Sequence, residues 1–318
     1  MRVRLLIAFS IIYVVWGSTY LCVAIALRSF PPLMLMCIRC LAGGTILLLW
    51  GALRERDPLT PRTLLLAIVC GLLFFVGCHG VLALAQRHVP SGLAAVMLAT
   101  IPFWIALLRF LLPGQRAPSR SVWLALGAGF AGVGVIAWAP SSSGAIDAFW
   151  LAALLGSSFS WALATVAVQN FGGTKQGLRL SGIELLSGGI VLAALSAGAG
   201  EAQLFRPDRI SGSSLVALAY LTIAGTVVAF SVYVWLLDRV QPTLVATYTF
   251  VNPVVAVVLG WLFLDEQPSM GMLIGAPLTI GAVCVAWRLE RRNSTRRTQT
   301  RHDLVASSLS RGGQDCDR

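Results

Sequence analysis

Two charged side chains stand inside apolar stretches of this sequence. Arg39 follows Trp16 by 23 residues, and Glu184 follows Trp161 by the same 23 residues. A charge costs about 3 kcal/mol at the centre of a membrane helix, so each side chain is expected to face the protein interior or a wet cavity. We predict that Arg39 binds substrate and that Glu184 exchanges protons. We expect the two side chains to lie near opposite openings of the protein and not to form an ion pair. The alternative is that each reaches back to the nearest membrane interface.

Proline residues interrupt two other apolar stretches near their middle. Pro102 follows Thr100, and Pro253 follows Asn252, which shares a helix face with Tyr248. Proline removes a backbone donor and leaves a carbonyl without its helical partner. At membrane depth, such a carbonyl is tolerated only where it contacts protein or a water-filled cavity. Interrupted helices at the same depth predict a substrate site lined by these five residues. The alternative is a kink that only packs neighbouring helices.

Further polar and aromatic side chains lie deep in the apolar stretches. His79 could bind protons or substrate, and Tyr233 is a comparable candidate. A hydrogen-bonded packing role is the alternative for both. Ring and hydroxyl groups also recur in two stretches that we expect to correspond, and they either flank a ligand or belong to the core. These substrate-binding candidates are Trp16, Ser18, Tyr20 and Trp161.

Three short patterns resemble cofactor or metal motifs without their context. GAGFAG from Gly127 fits a dinucleotide fingerprint, but no strand precedes it, so close helix packing explains it better. CIRC, from Cys37 to Cys40, has no second ligand pair with metal-site spacing. The three histidines lie far apart, and neither a Walker loop nor a hydrolase motif occurs. We therefore expect no cofactor, no metal and no enzymatic activity.

The elements that must position these residues are membrane helices. The 318 residues are 57% hydrophobic and 12% charged, with a mean hydropathy of +0.80, whereas about a quarter of residues are charged in soluble domains. Continuous apolar runs of about twenty residues favour helices over barrel strands. We predict an all-α polytopic membrane protein with ten transmembrane helices, at residues 5–27, 33–53, 63–85, 91–112, 121–139, 148–170, 179–199, 213–237, 243–263 and 270–288.

The pattern around the prolines occurs twice, which indicates an internal repeat. PSGLAAVMLATIPFWIALLRFLLPGQ begins at Pro90, and PTLVATYTFVNPVVAVVLGWLFLDE begins at Pro242. Five helices per half is an odd number, so the second half must enter the membrane from the opposite side. We predict two inverted five-helix repeats, at residues 1–142 and 143–290, followed by a basic, disordered cytoplasmic tail at 291–318.

The distribution of basic residues predicts the orientation. The net charge of +11 would suggest nucleic acid in a soluble protein. Here, however, a cytoplasmic N-terminus puts ten basic residues on the inner side and four on the outer side before the tail is counted. This bias satisfies the positive-inside rule and places both termini in the cytoplasm. The charge is therefore a topology signal, and we expect no nucleic-acid partner.

Several motifs together resemble one family of membrane proteins. They are WGSTYL from Trp16, FPP from Phe30, Arg39, the P-S-G from Pro90, and VNPVVAVVLG from Val251 followed by Glu266. In order and spacing, they are similar to the ten-helix EamA-type exporters of the drug/metabolite transporter superfamily. The resemblance covers residues 5–288 and implies an inner-membrane permease that exports small metabolites, amino acids or toxic compounds. Gln115 departs from the pattern, because an acidic residue often ends that helix.

These observations predict a secondary active transporter of the bacterial inner membrane. It would move small solutes by alternating access, driven by protons, with the bilayer and a small-molecule substrate as its partners, and the resemblance implies that the direction is export. Import or exchange of small organic solutes is the alternative within this class, and a membrane-embedded enzyme is the alternative outside it. A G-x-x-x-G at Gly271 and Gly275 predicts either a packing face within the chain or a contact in a homodimer.

Overall fold

The protein is helical throughout the part of the chain that the computed structural model describes. The described residues are 2–56, 58–112, 120–138, 147–171, 177–237, 239–240, 245, 248–282, 284–285 and 288–289. The expectations for Gln115 and for the tail at 291–318 concern residues outside these ranges.

We number the long helices in chain order and treat directly continuing segments as one helix. They are α1 Arg2–Ala26, α2 Pro32–Arg54, α3 Pro61–Ala85, α4 Ser91–Leu111, α5 Arg120–Trp138, α6 Ala148–Phe171, α7 Leu178–Gly198, α8 Gly212–Leu237, α9 Tyr248–Leu264 and α10 Met270–Ala282.

The all-helical membrane architecture predicted from the sequence is confirmed. Seven of these helices (α1 to α4 and α6 to α8) are long and apolar enough to cross a membrane, and shorter apolar helices span Val251–Leu264 and Met270–Ala282. Large apolar side chains such as Leu53, Leu124 and Val216 are exposed on the outside of the bundle, as expected for surfaces that face lipid. The exact count of ten and the location of the termini stay predictions.

Local sequence explains where several helices begin. Pro32 and Pro61 occupy the first turns of α2 and α3, where a missing amide hydrogen leaves no bond unmade. Thr60 accepts a hydrogen bond from the Thr63 amide at 3.2 Å, and Ser211 accepts one from the Ser214 amide at 3.2 Å. These side chains satisfy donors that the first helical turn cannot.

Small residues let the antiparallel helices α2 and α7 approach closely along their whole length. A Cβ placed on Gly182 would lie 2.6 Å from the Leu48 backbone nitrogen, and one on Gly51 would lie 2.5 Å from the Arg179 backbone nitrogen. Both neighbours are backbone atoms, which cannot rotate aside. Glycine is therefore required for this contact, as in close helix pairs of other membrane proteins.

We expect Gly182→Ala to destabilise the protein by about 1–3 kcal/mol, the usual cost of overpacking. Gly156→Ala is the matched control, because a Cβ on Gly156 in α6 would meet nothing within 4 Å. In an open site, alanine favours a helix over glycine. Thermal unfolding of both variants in detergent measures the difference. Equal melting temperatures would show that the α2–α7 contact tolerates a side chain.

Two glutamates fasten the ends of α2 and α7 to each other. Glu55, just after α2, accepts hydrogen bonds from the Leu178 amide at 2.6 Å and the Arg179 amide at 3.1 Å. Glu201, just after α7, accepts bonds from the amides of Leu33 at 3.1 Å and Met34 at 2.7 Å. Each carboxylate thus caps the first turn of the other helix, where unpaired amides and the helix dipole favour a negative charge.

A third glutamate joins α9 to α4. Glu266, just after α9, accepts hydrogen bonds from the Ser91 amide and the Ser91 hydroxyl, both at 2.9 Å. A Cβ on Gly260 would lie 2.5 Å from Oε2 of this carboxylate, so glycine makes room for the contact. We call these three contacts the Glu55, Glu201 and Glu266 clasps. Each joins the two halves of the sequence.

The two central prolines have different effects on their helices. Ala99 and Thr100 form a turn that divides α4 into Ser91–Leu98 and Ile101–Leu111, with Pro102 in the first turn of the second segment. Pro253, in contrast, lies inside a continuous helix from Tyr248 to Leu264. The sequence repeat predicted the same interruption twice, but only α4 is broken at this point.

Two glycines of α5, Gly129 and Gly132, pack against α10. A Cβ on Gly132 would lie 2.8 Å from the Gly275 carbonyl oxygen, and the Thr279 hydroxyl donates to the Gly129 carbonyl at 3.2 Å. Of the two alternatives raised for the Gly271 and Gly275 pattern, this contact favours packing within the chain for Gly275. It also gives the glycine-rich stretch of α5 a packing role. A homodimer stays a prediction.

Candidate substrate site

A cavity inside the bundle brings together side chains from both halves of the chain. Seven of the predicted substrate-binding residues line it: Trp16, Tyr20, Arg39, His79, Trp161, Tyr248 and Asn252. They come from α1, α2, α3, α6 and α9, and α4 and α8 complete the wall. The cavity measures about 50 Å³, which is room for a few water molecules. An organic solute would therefore need the surrounding helices or side chains to move.

Arg39 supplies the cationic group of the cavity. Its side chain is 5% exposed, and its Nε donates to the Thr226 hydroxyl at 2.6 Å. Its other hydrogen bond reaches only the Met36 sulfur, at 4.0 Å. Within the described ranges, no carboxylate pairs with this guanidinium. A buried charge without a counter-ion is costly, so the geometry favours an anionic group in the cavity beside Arg39.

Aromatic rings form much of the wall next to this charge. The Trp16 ring lies 4.7 Å from the Tyr248 ring, 5.1 Å from the Tyr233 ring and 6.1 Å from the Trp161 ring, measured between centroids. The Trp16 indole also donates to the Gly225 carbonyl at 3.0 Å, which fixes its orientation. Rings held in this way offer a rigid apolar surface to a ligand.

Asn252 adds an amide to the same cavity. It is 4% exposed, and its Oδ1 has no hydrogen-bond partner among the described residues. Buried polar atoms are nearly always paired, so an unpaired one in a cavity wall points to a missing partner. Asn252 lies one turn after Tyr248, as expected from their spacing, and both face the cavity.

His79 lines the cavity from a widened turn of α3. Residues Leu72–Gly80 form a π-helical segment, and the His79 Nδ1 lies 2.9 Å from the Phe74 carbonyl oxygen. Since a carbonyl can only accept, Nδ1 carries a hydrogen, and in the neutral ring Nε2 is then an acceptor. A second π-helical segment, Leu221–Val228, carries Thr226, the partner of Arg39. Such segments often occur at functional sites.

Six predicted site residues lie outside the cavity wall. The Ser18 hydroxyl lies 2.7 Å from the Tyr220 hydroxyl, and the Thr100 hydroxyl lies 2.9 Å from the Ser158 hydroxyl. Tyr233 packs behind Trp16. The remaining members of this group are Pro102, Pro253 and Glu184.

Glu184 lies where α7 crosses α3. Its side chain is 1% exposed, and a Cβ on Gly71 would lie 2.1 Å from the Glu184 carbonyl oxygen. The carboxylate does not line the cavity that holds Arg39. The expectation that the two charges do not form an ion pair agrees with this separation. The predicted role in proton coupling stays a prediction.

Several residues of the cavity wall were not among the predicted site residues. Phe75, Cys78 and Leu82 share one face of α3 with His79, at the spacing of helical turns. Their spacing around His79 could have predicted that they share its surroundings. No sequence pattern marked Thr226 and Phe230 on α8, because only the packing of α8 against its neighbours brings them to the cavity wall.

Comparison with known proteins decides the family. The model of the EamA-like transporter family matches residues 4–138 and again residues 148–288. The chain belongs to this family. It is therefore a membrane transporter, and the resemblance found in its motifs is confirmed. The two matches of this EamA-family chain also agree with the two-repeat membrane fold.

Named relatives of this EamA-family chain are transporters. It is 34% identical over 254 residues to YedA of Escherichia coli strain K12, named an uncharacterized inner membrane transporter, with 80% of each chain covered. It is 27% identical to the uncharacterized transporter YvbV of Bacillus subtilis, covering 89% of this chain and 91% of YvbV. With its membrane-length helices, the chain is a multi-pass protein of the bacterial inner membrane.

A solved structure shares the fold of this EamA-family chain. That crystal structure superimposes with a TM-score of 0.63 at 21% sequence identity, and the match covers 90% of this chain and 97% of the other. At this identity, the likeness supports the fold alone.

Proposed function

We propose that this transporter is a secondary active exporter of small metabolites, amino acids or drugs, working by alternating access and driven by protons. The observation that carries this proposal is the cavity shared by both halves, where Arg39 has no carboxylate partner among the described residues. Substrate sites of transporters built from repeats lie between the halves near the bilayer midplane. Rocking of the halves would expose the cavity first to one side and then to the other.

The chemistry of the wall selects the substrate class. Arg39 would bind a carboxylate or another small anion, the Asn252 amide would bind a neighbouring polar group, and the Trp16, Trp161 and Tyr248 rings would hold an apolar part. No carboxylate lines the described cavity, so a cationic solute would meet Arg39 without a counter-charge. We therefore expect small amphipathic solutes that carry a carboxylate.

Glu184 is the proposed proton-coupling group. It lies in the contact between α3 and α7, and α3 also carries His79 at the cavity wall. A carboxylate whose surroundings change from dry to wet as the halves rock can take up and release a proton. Coupling would then run through the packing of α7 on α3 rather than through direct contact with substrate.

Proteoliposomes with a trapped pH dye test this proposal. Amino acids, aromatic carboxylates and cationic amphiphiles are added to wild type, to Glu184→Gln and to protein-free liposomes, which control for acids that cross the bilayer unaided. We expect a solute-dependent pH change that needs the protein and disappears in Glu184→Gln. An unchanged response in the variant would remove the role of Glu184. Solute movement without any pH change would favour exchange, and the preferred direction of counterflow distinguishes export from import.

A further inference from the structure

A second and larger cavity lies at the end of the bundle where α1 begins. It measures about 590 Å³ and is separate from the cavity around Arg39, with no lining residue in common. Ile7 and Ile11 of α1 and Val232 of α8 contribute to its apolar wall. Ile7 is 55% exposed on the outer surface of the bundle, so the cavity is a groove open to the side. We call it the α1–α8 groove.

Two arginines line the groove at its charged end. Arg4 and Arg239 are both exposed, and neither is paired with a carboxylate in the described part of the chain. The Arg239 guanidinium lies 4.3 Å from the centre of the Trp235 ring and donates to the Trp235 carbonyl. These contacts orient the cation on an aromatic side chain and leave its remaining donors available.

The acidic residue in the groove has its own partners. Glu55 accepts hydrogen bonds from the amides of Leu178 and Arg179 and caps α7. The groove therefore combines two cations, an aromatic interface residue and an apolar channel. Ile11 lies seven residues into α1 from Arg4, and Val232 lies seven residues before Arg239. At 1.5 Å per residue, the α1 wall extends about 10 Å from Arg4 along the helix.

Two aromatic rings stack at the corresponding end of the other half. Trp150 near the start of α6 and His88 after α3 take the sequence places of the start of α1 and the end of α8, and their rings stack at a centroid distance of 4.2 Å. In the orientation predicted from the basic residues, the arginine-bearing groove faces the cytoplasm. The cytoplasmic leaflet carries anionic lipid, and basic pockets between membrane helices bind its headgroups.

We propose that the α1–α8 groove binds an anionic phospholipid. The phosphate lies between Arg4 and Arg239, and the start of one acyl chain lies along Ile7, Ile11 and Val232. The apolar channel argues for a lipid rather than for a free phosphate, because a soluble anion would leave that surface uncovered. The site is distinct from the proposed substrate cavity and does not depend on the substrate.

Native mass spectrometry of the full chain in detergent tests this site, with phosphatidylglycerol and phosphatidylcholine of identical acyl chains as probes. Wild type is expected to retain phosphatidylglycerol preferentially. Arg4→Gln/Arg239→Gln is expected to weaken that binding roughly 10- to 30-fold, given the attraction of each arginine to anionic lipid. Arg28→Gln/Arg206→Gln removes the same charge from exposed residues outside the groove and should keep the binding.

Two further measurements separate a lipid from a soluble anion. Val232→Trp fills the apolar channel without changing charge and should also weaken phosphatidylglycerol binding. Glycerol phosphate, which carries a phosphate without acyl chains, should not displace the lipid at equal concentration. Full retention by the Arg4/Arg239 variant, provided that its melting temperature equals that of wild type, would overturn the proposal. Efficient displacement by glycerol phosphate would overturn it in favour of a soluble organic phosphate.

Discussion

Arg39→Gln is expected to weaken the binding of carboxylate-bearing solutes about 30-fold or more while leaving the protein folded. In wild type, the guanidinium is buried beside aromatic rings, and its hydrogen bonds go to Thr226 and Met36. Losing a charge-assisted partner in a buried site costs a ligand roughly 2–5 kcal/mol, which is about 30-fold or more in affinity. Because the variant also removes an uncompensated buried charge, its melting temperature without ligand should not fall.

Three probes with one phenyl group and different charges make this test specific. Phenylacetate is an anion, phenylalanine is a zwitterion and phenethylamine is a cation. Thermal stabilisation of the purified protein measures the binding of each, since a ligand that binds only the folded state raises the melting temperature. We expect wild type to be stabilised by the probes that carry a carboxylate and not by phenethylamine.

The matched control is Arg28→Gln, which removes an exposed arginine between α1 and α2 and should behave as wild type. Arg39→Lys keeps the charge but loses the planar donor set, so an intermediate effect is expected. If phenylacetate stabilises Arg39→Gln as strongly as wild type, the assignment of Arg39 to the substrate is wrong. If phenethylamine stabilises wild type best, the preference for anions is wrong.

Glu266→Ala is expected to open the central cavity toward the side where α4 begins. The Glu266 clasp joins the end of α9 to the first turn of α4 through Ser91. A capping side chain is worth about 0.5–2 kcal/mol, and hydrogen bonds to a charged group about 1.5–3 kcal/mol. Losing the clasp should therefore raise the population of the open form roughly 5- to 30-fold.

Cys78 is a built-in reporter for this opening, because it lines the cavity and is fully buried. In a background where the other six cysteines are replaced, the rate of reaction with a membrane-impermeant thiol reagent is measured from each side of oriented vesicles. Glu266→Ala should accelerate labelling from the outer side. Gly260→Ala should act in the same direction, since its Cβ would lie 2.5 Å from the Glu266 carboxylate.

Asp208→Ala is the control for Glu266→Ala, because it removes an exposed carboxylate near the predicted outer end of the bundle. Labelling should stay at the wild-type rate in this variant. Equal rates in Glu266→Ala and Asp208→Ala would show that the clasp does not hold the cavity closed. Acceleration from the inner side alone would reverse the orientation predicted from the arginine distribution.

The sequence predicted the helices well because their signal is local. Runs of apolar residues ending at prolines and charges predict α2 to within one residue at each end and α1 to within three, and no tertiary information is needed for that. The spacing of Trp16 and Arg39 relative to Trp161 and Glu184 also indicated the repeat. Such features follow from composition and chain geometry alone.

The site was predicted less completely because a cavity depends on which helix faces meet. Arg39 and Glu184 occupy equivalent sequence positions, but Arg39 reaches the cavity and Glu184 lies against α3. The break in α4 at Thr100 and the continuity of α9 at Pro253 also differ. Local sequence treats these pairs as alike, and the contacts of neighbouring helices make them different.

The clasps have a consequence for how the protein is made. Two of the capping carboxylates lie in the second half of the chain and cap helices of the first half. Glu201 accepts from the amides of Leu33 and Met34, and Glu266 accepts from the amide of Ser91. The Glu55 carboxylate likewise meets its amides only when α7 is present. During synthesis, the first five helices leave the ribosome with these groups unmatched. These caps can therefore form only after the helices of the second half have been inserted into the membrane, and the Glu266 clasp forms among the last.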